Sequence, residues 1–392
     1  MHRFIALVLL LMSLQGASQS MQLSEQAVIS VITCGPDPNE VYSAFGHSAF
    51  RVNDPIIGID YAFNYGVFDF DQPNFYLNFA RGRNYYMLAV YHYQDFEWPY
   101  LRDKRFVHEQ VLTLTHQQKE KIFNFLMWNA QPENRTYRYD YYHDNCATKI
   151  RDVLVEQLGT DLILDSSFLK AEHSFRQKTD EYLHPLPWGD LGIDICLGLP
   201  IDRTMQPTEY MFLPDYIEAF VDHMQIKNDS TTTRLVKEKR IINEATVEPW
   251  HSLVHPWVAF SGVLLLVIAI SYYDWSRKKL SRWLDVSLFG ITGLVGLLLT
   301  ALWLATDHHD AAQNFNLLWA FPLHLIALVF WVFKRTPVLK NYFLMIGVLS
   351  TGLILFWWAL PQQLNIFLIP LVAGIAIRSF ANWKLLPVTT GE

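Results

Sequence analysis

Apolar and polar positions divide the chain into two parts of different character. Beyond His255, five apolar stretches follow one another, each close to the roughly 20 residues that a helix needs to cross the hydrocarbon core of a bilayer. Before His255 the apolar runs are short and alternate with polar turns, as in a water-exposed domain. The pattern predicts an α+β domain and then an all-α bundle of about five transmembrane helices in residues 251–392, with spans at about 256–273, 284–305, 317–333, 341–360 and 364–381.

Local signals in the first part predict both helices and strands. Thr115 is a suitable N-cap for an amphipathic helix. Asp144 or Asn145 is a suitable N-cap for a second helix, which Gly159 ends. The predicted strands are the β-branched or aromatic runs Val28–Thr33, Val41–Val52, Tyr61–Tyr65, Val67–Phe70 and 106–115.

The charged residues give an orientation for the predicted spans. Lys and Arg residues lie in alternate gaps, around 277–282, around 334–340 and at the end of the fifth span, whereas the gaps 306–316 and 361–363 hold none. Because positively charged loops stay in the cytoplasm, the first span starts outside and the C-terminus lies inside. The acidic first part has no dense basic patch, which argues against nucleic-acid binding.

The N-terminus has the pattern of a secretory signal peptide. Arg3 precedes the apolar run Phe4–Leu14, which is too short to span a bilayer, and small residues follow at 16–18. An N-terminal anchor is the alternative. The predicted organisation is a signal peptide at 1–18, an exported domain at 19–225, a linker or surface helix at 226–250, and the membrane part at 251–392.

The three cysteines are Cys34, Cys146 and Cys196. An exported location permits disulfides, but an odd count leaves at least one thiol free or paired between chains. Cys146 lies in the first turn of the second predicted helix, where unpaired N–H groups and the helix dipole favour the nucleophilic thiolate. The alternative is that Cys146 is a small buried residue or forms a disulfide with Cys34 or Cys196.

A thiol nucleophile needs a base, usually His, and a polar group that orients the imidazole. His47 is the candidate base, because it lies next to small residues in a strand of apolar character. The alternative is a hydrogen-bonded core histidine. Asn64 on the following strand is the candidate third member, with Asp60 and Tyr65 as alternatives.

Signals for other chemistries are weaker. The sequence contains no His-Glu-x-x-His, no Cys-x-x-Cys, no Gly-rich phosphate loop and no Gly-x-Ser-x-Gly motif. His308-His309-Asp310 offers metal ligands, but adjacent histidines on a loop are usually only polar. We therefore expect neither a metal nor a cofactor.

Several motifs in a fixed order carry a resemblance to a known family. In the first part they are Thr33-Cys-Gly-Pro, Phe45-Gly-His-Ser-Ala-Phe-Arg-Val, Asn64-Tyr-Gly-Val-Phe-Asp-Phe, Phe79-Ala-Arg-Gly-Arg and Asp144-Asn-Cys-Ala-Thr-Lys-Ile-Arg-Asp. This string resembles the periplasmic domain of Lnb-type bacterial lipoprotein N-acyltransferases. The second part, with Asp307-His308 and Asn314-Phe-Asn-Leu-Leu-Trp, is similar to that family's membrane domain. The resemblance covers most of residues 25–381.

The resemblance implies a permuted papain-like fold, related to NlpC-type thiol hydrolases, in which the His precedes the Cys in the chain. It implies Cys146 as the nucleophile and His47 as its base, with Asn64 expected as the third member. The implied reaction moves an acyl chain from a phospholipid to the N-terminal lipid-modified cysteine of lipoproteins through a Cys thioester. The residues that we expect to contact the substrates are Arg81, Arg83, His308, Asn314 and Asn316.

The implied partners are a phospholipid acyl donor, a lipoprotein acceptor and the membrane. The implied location is the bacterial inner membrane, with the N-terminal domain in the periplasm. One alternative is a membrane-anchored NlpC-type cysteine amidase or peptidase that acts in the cell envelope. Another is a non-enzymatic envelope protein in which Cys146 is disulfide-bonded. The predicted bundle favours a lipid substrate, because a peptidase needs only one anchor.

Overall fold

The computed structural model describes residues 21–37, 39–69, 71–228, 231–246, 254–333 and 336–387. The predicted signal peptide lies outside the described residues. The rest follows the predicted order, with an α+β domain first and a helical domain after it. The prediction of the fold class is confirmed at this level.

A seven-stranded sheet is the centre of the N-terminal domain. Its strands are β1 Val28–Cys34, β2 His47–Asp54, β3 Ile59–Val67, β4 Tyr85–His92, β5 Val107–Leu112, β6 Thr136–Arg138 and β10 Val236–Asn243. All neighbouring strands run antiparallel, in the spatial order β10-β5-β1-β2-β3-β4-β6. In the pairing of β1 with β2, Cys34 lies opposite His47.

Helices cover both faces of this sheet. A large apolar core on one face includes Phe50 and Phe63 of the sheet with Phe123 and Leu154 of the helices. A smaller core on the other face joins Cys34 to a helix that carries Phe96. The helices of this domain are α1 Phe75–Ala80, α2 Tyr93–Arg102, α3 His116–Asn129, α4 Cys146–Leu158, α5 Phe175–Leu183, α6 Pro187–Cys196 and α7 Pro214–His223.

The two helices predicted from their caps are present. Thr115 and Gln118 form a capping box at the start of α3. Asn145 and Thr148 form another at the start of α4, which Gly159 ends with a positive φ of 54°. These motifs satisfy backbone N–H groups that have no partner inside a helix, so the helix starts are fixed locally.

The linker predicted at 226–250 is corrected by the structure. Strand β10 pairs with β5 and completes one edge of the main sheet. A second sheet of three strands, β7 Leu162–Ile163, β8 Gln225–Asn228 and β9 Thr231–Arg234, takes in the start of the same segment. β10 is mostly exposed and rich in charge, as is common for edge strands, and its sequence alone therefore looks like a linker.

In the part of the C-terminal domain that the structure describes, four helices are long and apolar enough to cross a membrane, or up to five spans if one bent pair counts as one. The third predicted span, 317–333, is not continuous. A 3-10 turn, Phe315–Leu318, precedes the helix α10 at Leu323–Val332, and the chain bends by 43° between the two. Pro322 at the break lacks the N–H that a continuous helix needs. The helices are α8 Pro256–Arg277, α9 Arg282–Ala305, α10 Leu323–Val332, α11 Thr336–Leu355 and α12 Ile369–Leu385.

Candidate active site

Cys146 is the first residue of α4, and the residue before it holds this helix start in place. The side-chain oxygen of Asn145 accepts hydrogen bonds from the backbone N–H groups of Ala147 and Thr148 at 2.8 and 2.9 Å. Its amide nitrogen donates to the carbonyl oxygens of Tyr141 and Phe212. Asn145 is only 3% exposed, so these bonds are shielded from water. The backbone that presents Cys146 is therefore fixed from both sides.

His47 and Asn64 come from neighbouring strands and meet at the start of α4. The Nε2 of His47 lies 2.6 Å from the Oδ1 of Asn64. The ring of Tyr100 from α2 stacks on His47 at 6.4 Å with an angle of 13° between the planes. Because Asn64 occupies Nε2, the ring nitrogen that remains for Cys146 is Nδ1. The structure thus brings together all three predicted members of the thiol centre.

The charges in this centre favour a thiolate on Cys146 paired with an imidazolium on His47. Burial opposes ionisation of Cys146, but the charge and hydrogen bond of His47, with the N–H groups of Ser48 and Ala147, lower the pKa of its thiol. Burial likewise disfavours the charged form of His47, but Cys146 and Asn64 outweigh it and raise the pKa of the imidazole. A thiolate beside an imidazolium is the reactive form of a cysteine nucleophile.

The other two cysteines lie in a different environment. Cys34 is fully buried opposite His47, and burial raises the pKa of its thiol. Burial also raises the pKa of Cys196. All three cysteines are free thiols in the structure, which does not support the alternative of a disulfide at Cys146. Cys146 is the one cysteine of the three whose environment favours the thiolate.

Gly66 leaves space beside the thiol and is not among the site residues predicted from the sequence. It has a φ of 89° and lies in an irregularity of the β3–β4 pairing between Asn64 and Val67. A Cβ at Gly66 would lie 3.5 Å from the Cβ of Cys146 and 3.9 Å from the Cε1 of His47. The signal was a glycine two residues after Asn64 in a strand, since such glycines often mark bulges or close approaches.

Two of the predicted substrate residues hold the two domains together. Asp307 follows α9 and accepts hydrogen bonds from the Nε of Arg83 at 2.7 Å and from Arg138 at 2.8 Å. The Nε2 of His308 is 3.0 Å from the carbonyl oxygen of Phe79. Arg83 and His308 therefore serve as interdomain contacts, a role that differs from the substrate contact predicted for them.

Asn314 and Asn316 are also part of the domain interface, which corrects their predicted substrate role. They are 3% and 0% exposed. Asn314 donates to the carbonyl oxygens of Ile195 and Cys196 at the end of α6. Asn316 donates to the carbonyl of Asp194 and accepts from the indole of Trp319. Because these amides are buried and bonded within the protein, they are not free to bind a substrate.

Acidic and histidine side chains form two clusters that do not include the thiol. In the described part of the chain, the groups that place three possible metal-ligand atoms within 4.8 Å are Asp140, His143 and Asp310, and Asp180, Asp190 and Asp194. The second group lines a cavity of about 1070 Å³ between the domains, whose lining does not include Cys146. Neither group includes His47 or Cys146, and the expectation of chemistry without a metal stays a prediction.

Family models match both parts of the chain. A model of the Lnb N-terminal periplasmic domain matches residues 18–176. A model of the Lnb transmembrane domain matches residues 248–387. The first match contains Cys146, His47 and Asn64, and the second contains Asp307. Among curated proteins and solved structures, no match to the chain was found.

Proposed function

The chain belongs to the Lnb family of lipoprotein-modifying envelope enzymes, and on that premise we propose that it is a lipoprotein N-acyltransferase that works through a thioester on Cys146. It is a membrane protein with a periplasmic N-terminal domain and a C-terminal transmembrane domain. The alternating Lys and Arg loops support a place in the bacterial inner membrane with the C-terminus in the cytoplasm.

In the first half of the proposed reaction, the thiolate of Cys146 attacks an ester carbonyl of a phospholipid. The C–S bond forms as the C–O bond breaks, and the imidazolium of His47 gives its proton to the leaving lysophospholipid oxygen. The N–H of Cys146 belongs to the first turn of α4, has no acceptor inside the helix, and is a candidate donor to the oxyanion.

In the second half, the α-amine of the lipid-modified N-terminal cysteine of a lipoprotein attacks the thioester. The amide C–N bond forms, the C–S bond breaks, and His47 takes the proton that the amine loses. Cys146 returns to the thiolate and His47 to the imidazolium. Asn64 keeps the ring in position through both halves because its oxygen accepts from Nε2.

The observation that carries the proposal is the attachment of this thiol centre to a membrane domain. Arg83 and Arg138 bind Asp307 at the end of α9. Arg138 belongs to β6 of the sheet that also holds His47 and Asn64, and Arg83 lies two residues before β4 of that sheet. Since donor and acceptor lipids both lie in the membrane, a thiol held at its surface suits acyl transfer between them. A cysteine amidase or peptidase, the second candidate, has the same thiol centre but needs no such bundle.

The test is a complementation experiment in a strain that lacks lipoprotein N-acylation. The full chain is expressed with and without Cys146→Ser, and the N-terminal peptide of a reporter lipoprotein is analysed by mass spectrometry. We expect an added acyl chain with the intact protein and none with Cys146→Ser. Cys196→Ser is the matched control and should retain activity, because burial keeps that thiol protonated. An unmodified peptide with the intact, folded protein rejects the acyltransferase, and cleavage of cell-wall peptides in its place supports the amidase.

A further inference from the structure

Helix α1 carries apolar side chains that point to solvent. Tyr76, Leu77 and Phe79 are 78%, 47% and 58% exposed, although the helix has only six residues. Phe75, on the other side, is 8% exposed and faces the domain. Clusters of exposed apolar side chains on soluble domains usually mark a surface that contacts a partner or a membrane.

This helix is attached to the membrane domain at its C-terminal end. The carbonyl oxygen of Phe79 bonds to His308, and that of Arg81 accepts from the N–H of Asp307 at 2.9 Å. At Gly82, with a φ of 68°, a Cβ would lie 3.1 Å from the backbone of both Asp307 and His308. The backbone at Gly82 is therefore in close contact with the backbone at Asp307 and His308.

The position of this contact along the membrane domain identifies what the apolar side chains meet. Asp307 and His308 follow directly after the end of α9, one of the helices long and apolar enough to span a membrane. The last turn of α9 still exposes Trp303 and Leu304, at 39% and 72%. Because Trp residues are typical of the membrane interface, α1 lies at the height where α9 leaves the lipid.

Aromatic residues lie between α1 and the thiol centre. Phe75 stacks on Phe68 at 6.0 Å, and Phe68 lies 5.0 Å from Tyr86. Across β4 and β6, Tyr86 pairs with Tyr137, whose hydroxyl is 4.0 Å from the position that a Cβ on Gly66 would take. That same position is 3.5 Å from the Cβ of Cys146. Aromatic residues thus lie between α1 and the space beside the nucleophile.

We propose that α1 enters the bilayer surface and binds a phospholipid there, with Tyr76, Leu77 and Phe79 against its acyl chains and Arg81 at its phosphate. The role of this lipid as the acyl donor rests on the function proposed above. Among the described residues Arg81 forms no ion pair, whereas Arg83 is bound to Asp307. A guanidinium beside exposed aromatic rings complements an anionic phosphate above apolar chains.

Photocrosslinking in native membranes tests the contact. A benzophenone amino acid replaces Tyr76 in the full chain carrying Cys146→Ser, so that turnover does not remove the lipid. The matched control places it at Ile56, which is 62% exposed in the β2–β3 turn, at the opposite end of the strands from Asn64 and Gly66. We expect a protein–phospholipid adduct by intact-protein mass spectrometry at Tyr76 and none at Ile56. No adduct at Tyr76, equal adducts at both positions, or a lipoprotein adduct in place of a phospholipid overturns the proposal.

A kinetic experiment tests whether the phospholipid bound by α1 is the acyl donor of the proposed reaction. In mixed micelles, Tyr76→Ser with Phe79→Ser should raise the phospholipid mole fraction at half-maximal rate by roughly fivefold to tenfold, with the rate at saturation unchanged. A fall in the saturating rate alone speaks against lipid binding by α1. The crosslink reports the lipid contact and the lipoprotein peptide reports acyl transfer, so the two proposals fail separately.

Discussion

The Nε2 of His47 lies 2.6 Å from the Oδ1 of Asn64, and an amide oxygen can only accept, so the imidazole must carry a proton on Nε2. This bond fixes both the tautomer and the plane of the ring. Tyr100 stacks on the same ring and restricts it further. As a result Nδ1 is directed to the thiol, and the pair is ordered before any substrate binds.

Asn64→Ala should weaken catalysis without unfolding the domain. We expect kcat to fall roughly tenfold to a hundredfold, because the ring of His47 loses its orientation and part of the 10²–10⁴-fold that a positioned base contributes. The measurement is acyl transfer to a lipoprotein peptide at saturating lipid. Asn124→Ala, which removes an exposed amide on α3, is the control and should leave kcat unchanged. If Asn64→Ala retains full kcat, Asn64 does not orient His47.

The pH dependence of Cys146 alkylation follows from the two shifted pKa values. The pKa of Cys146 is lowered below its ordinary value of 9.0, so its reaction with a small alkylating agent should persist below that pH and be lost as the pH falls through the lowered pKa. Acyl transfer should be lost in addition as the pH rises through the raised pKa of His47, because the proton for the leaving group is then gone.

The other cysteines provide the comparison for this measurement. Burial raises the pKa of Cys34 and of Cys196, so both should react more slowly than Cys146 at neutral pH. His47→Ala should move the Cys146 transition to higher pH, because the charge that stabilises the thiolate is removed. Rates are read by mass spectrometry of the three cysteine peptides. A Cys146 transition at or above pH 9.0 in the intact protein contradicts the ion pair.

Local chemistry explains which parts of the fold the sequence could predict. The starts of α3 and α4 depend on Thr115 and Asn145 and on bonds within three residues, and both were predicted. The long spans depend on a run of apolar residues, which can be recognised in the sequence without knowing what each helix packs against. Cys146 in the first helical turn follows from the same local signals. His47 and Asn64 were candidates by residue type and strand order.

Contacts between distant residues explain what the sequence could not predict. β10 is a strand because β5 lies beside it, more than one hundred residues earlier in the chain. Asn316 was assigned to the substrate because nothing local shows that its amide bonds to Asp194, 122 residues away. Arg83 was predicted to contact the substrate, but it forms an ion pair with Asp307, which lies 224 residues away in the chain. In each case the partner, not the residue, decides the role.

Gly66→Ala should reduce activity more than stability. A left-handed conformation costs a residue with a Cβ about 1–2 kcal/mol, and the new methyl group would stand 3.5 Å from the Cβ of Cys146. Gly58 has a similar φ of 72°, but a Cβ there would have no neighbour within 4 Å among the described residues. We therefore expect similar losses of thermal stability for Gly66→Ala and Gly58→Ala, and a large loss of acyl transfer only for Gly66→Ala. Equal activity of the two variants rejects the role of Gly66 in keeping the thiol accessible.

Asp307→Ala should separate the reactivity of the thiol from its use on lipids. The ion pairs of Asp307 with Arg83 and Arg138 are exposed to solvent, so their loss should change the stability of the protein little. Alkylation of Cys146 by a small soluble reagent should not change, because the thiol centre lies within the N-terminal domain. Acyl transfer from membrane phospholipid should fall, since the domain is no longer held against the end of α9.

Asp103→Ala, which breaks an ion pair of similar exposure with Arg102, is the matched control and should leave both readouts intact. If Asp307→Ala transfers acyl chains at the full rate, this contact does not position the site.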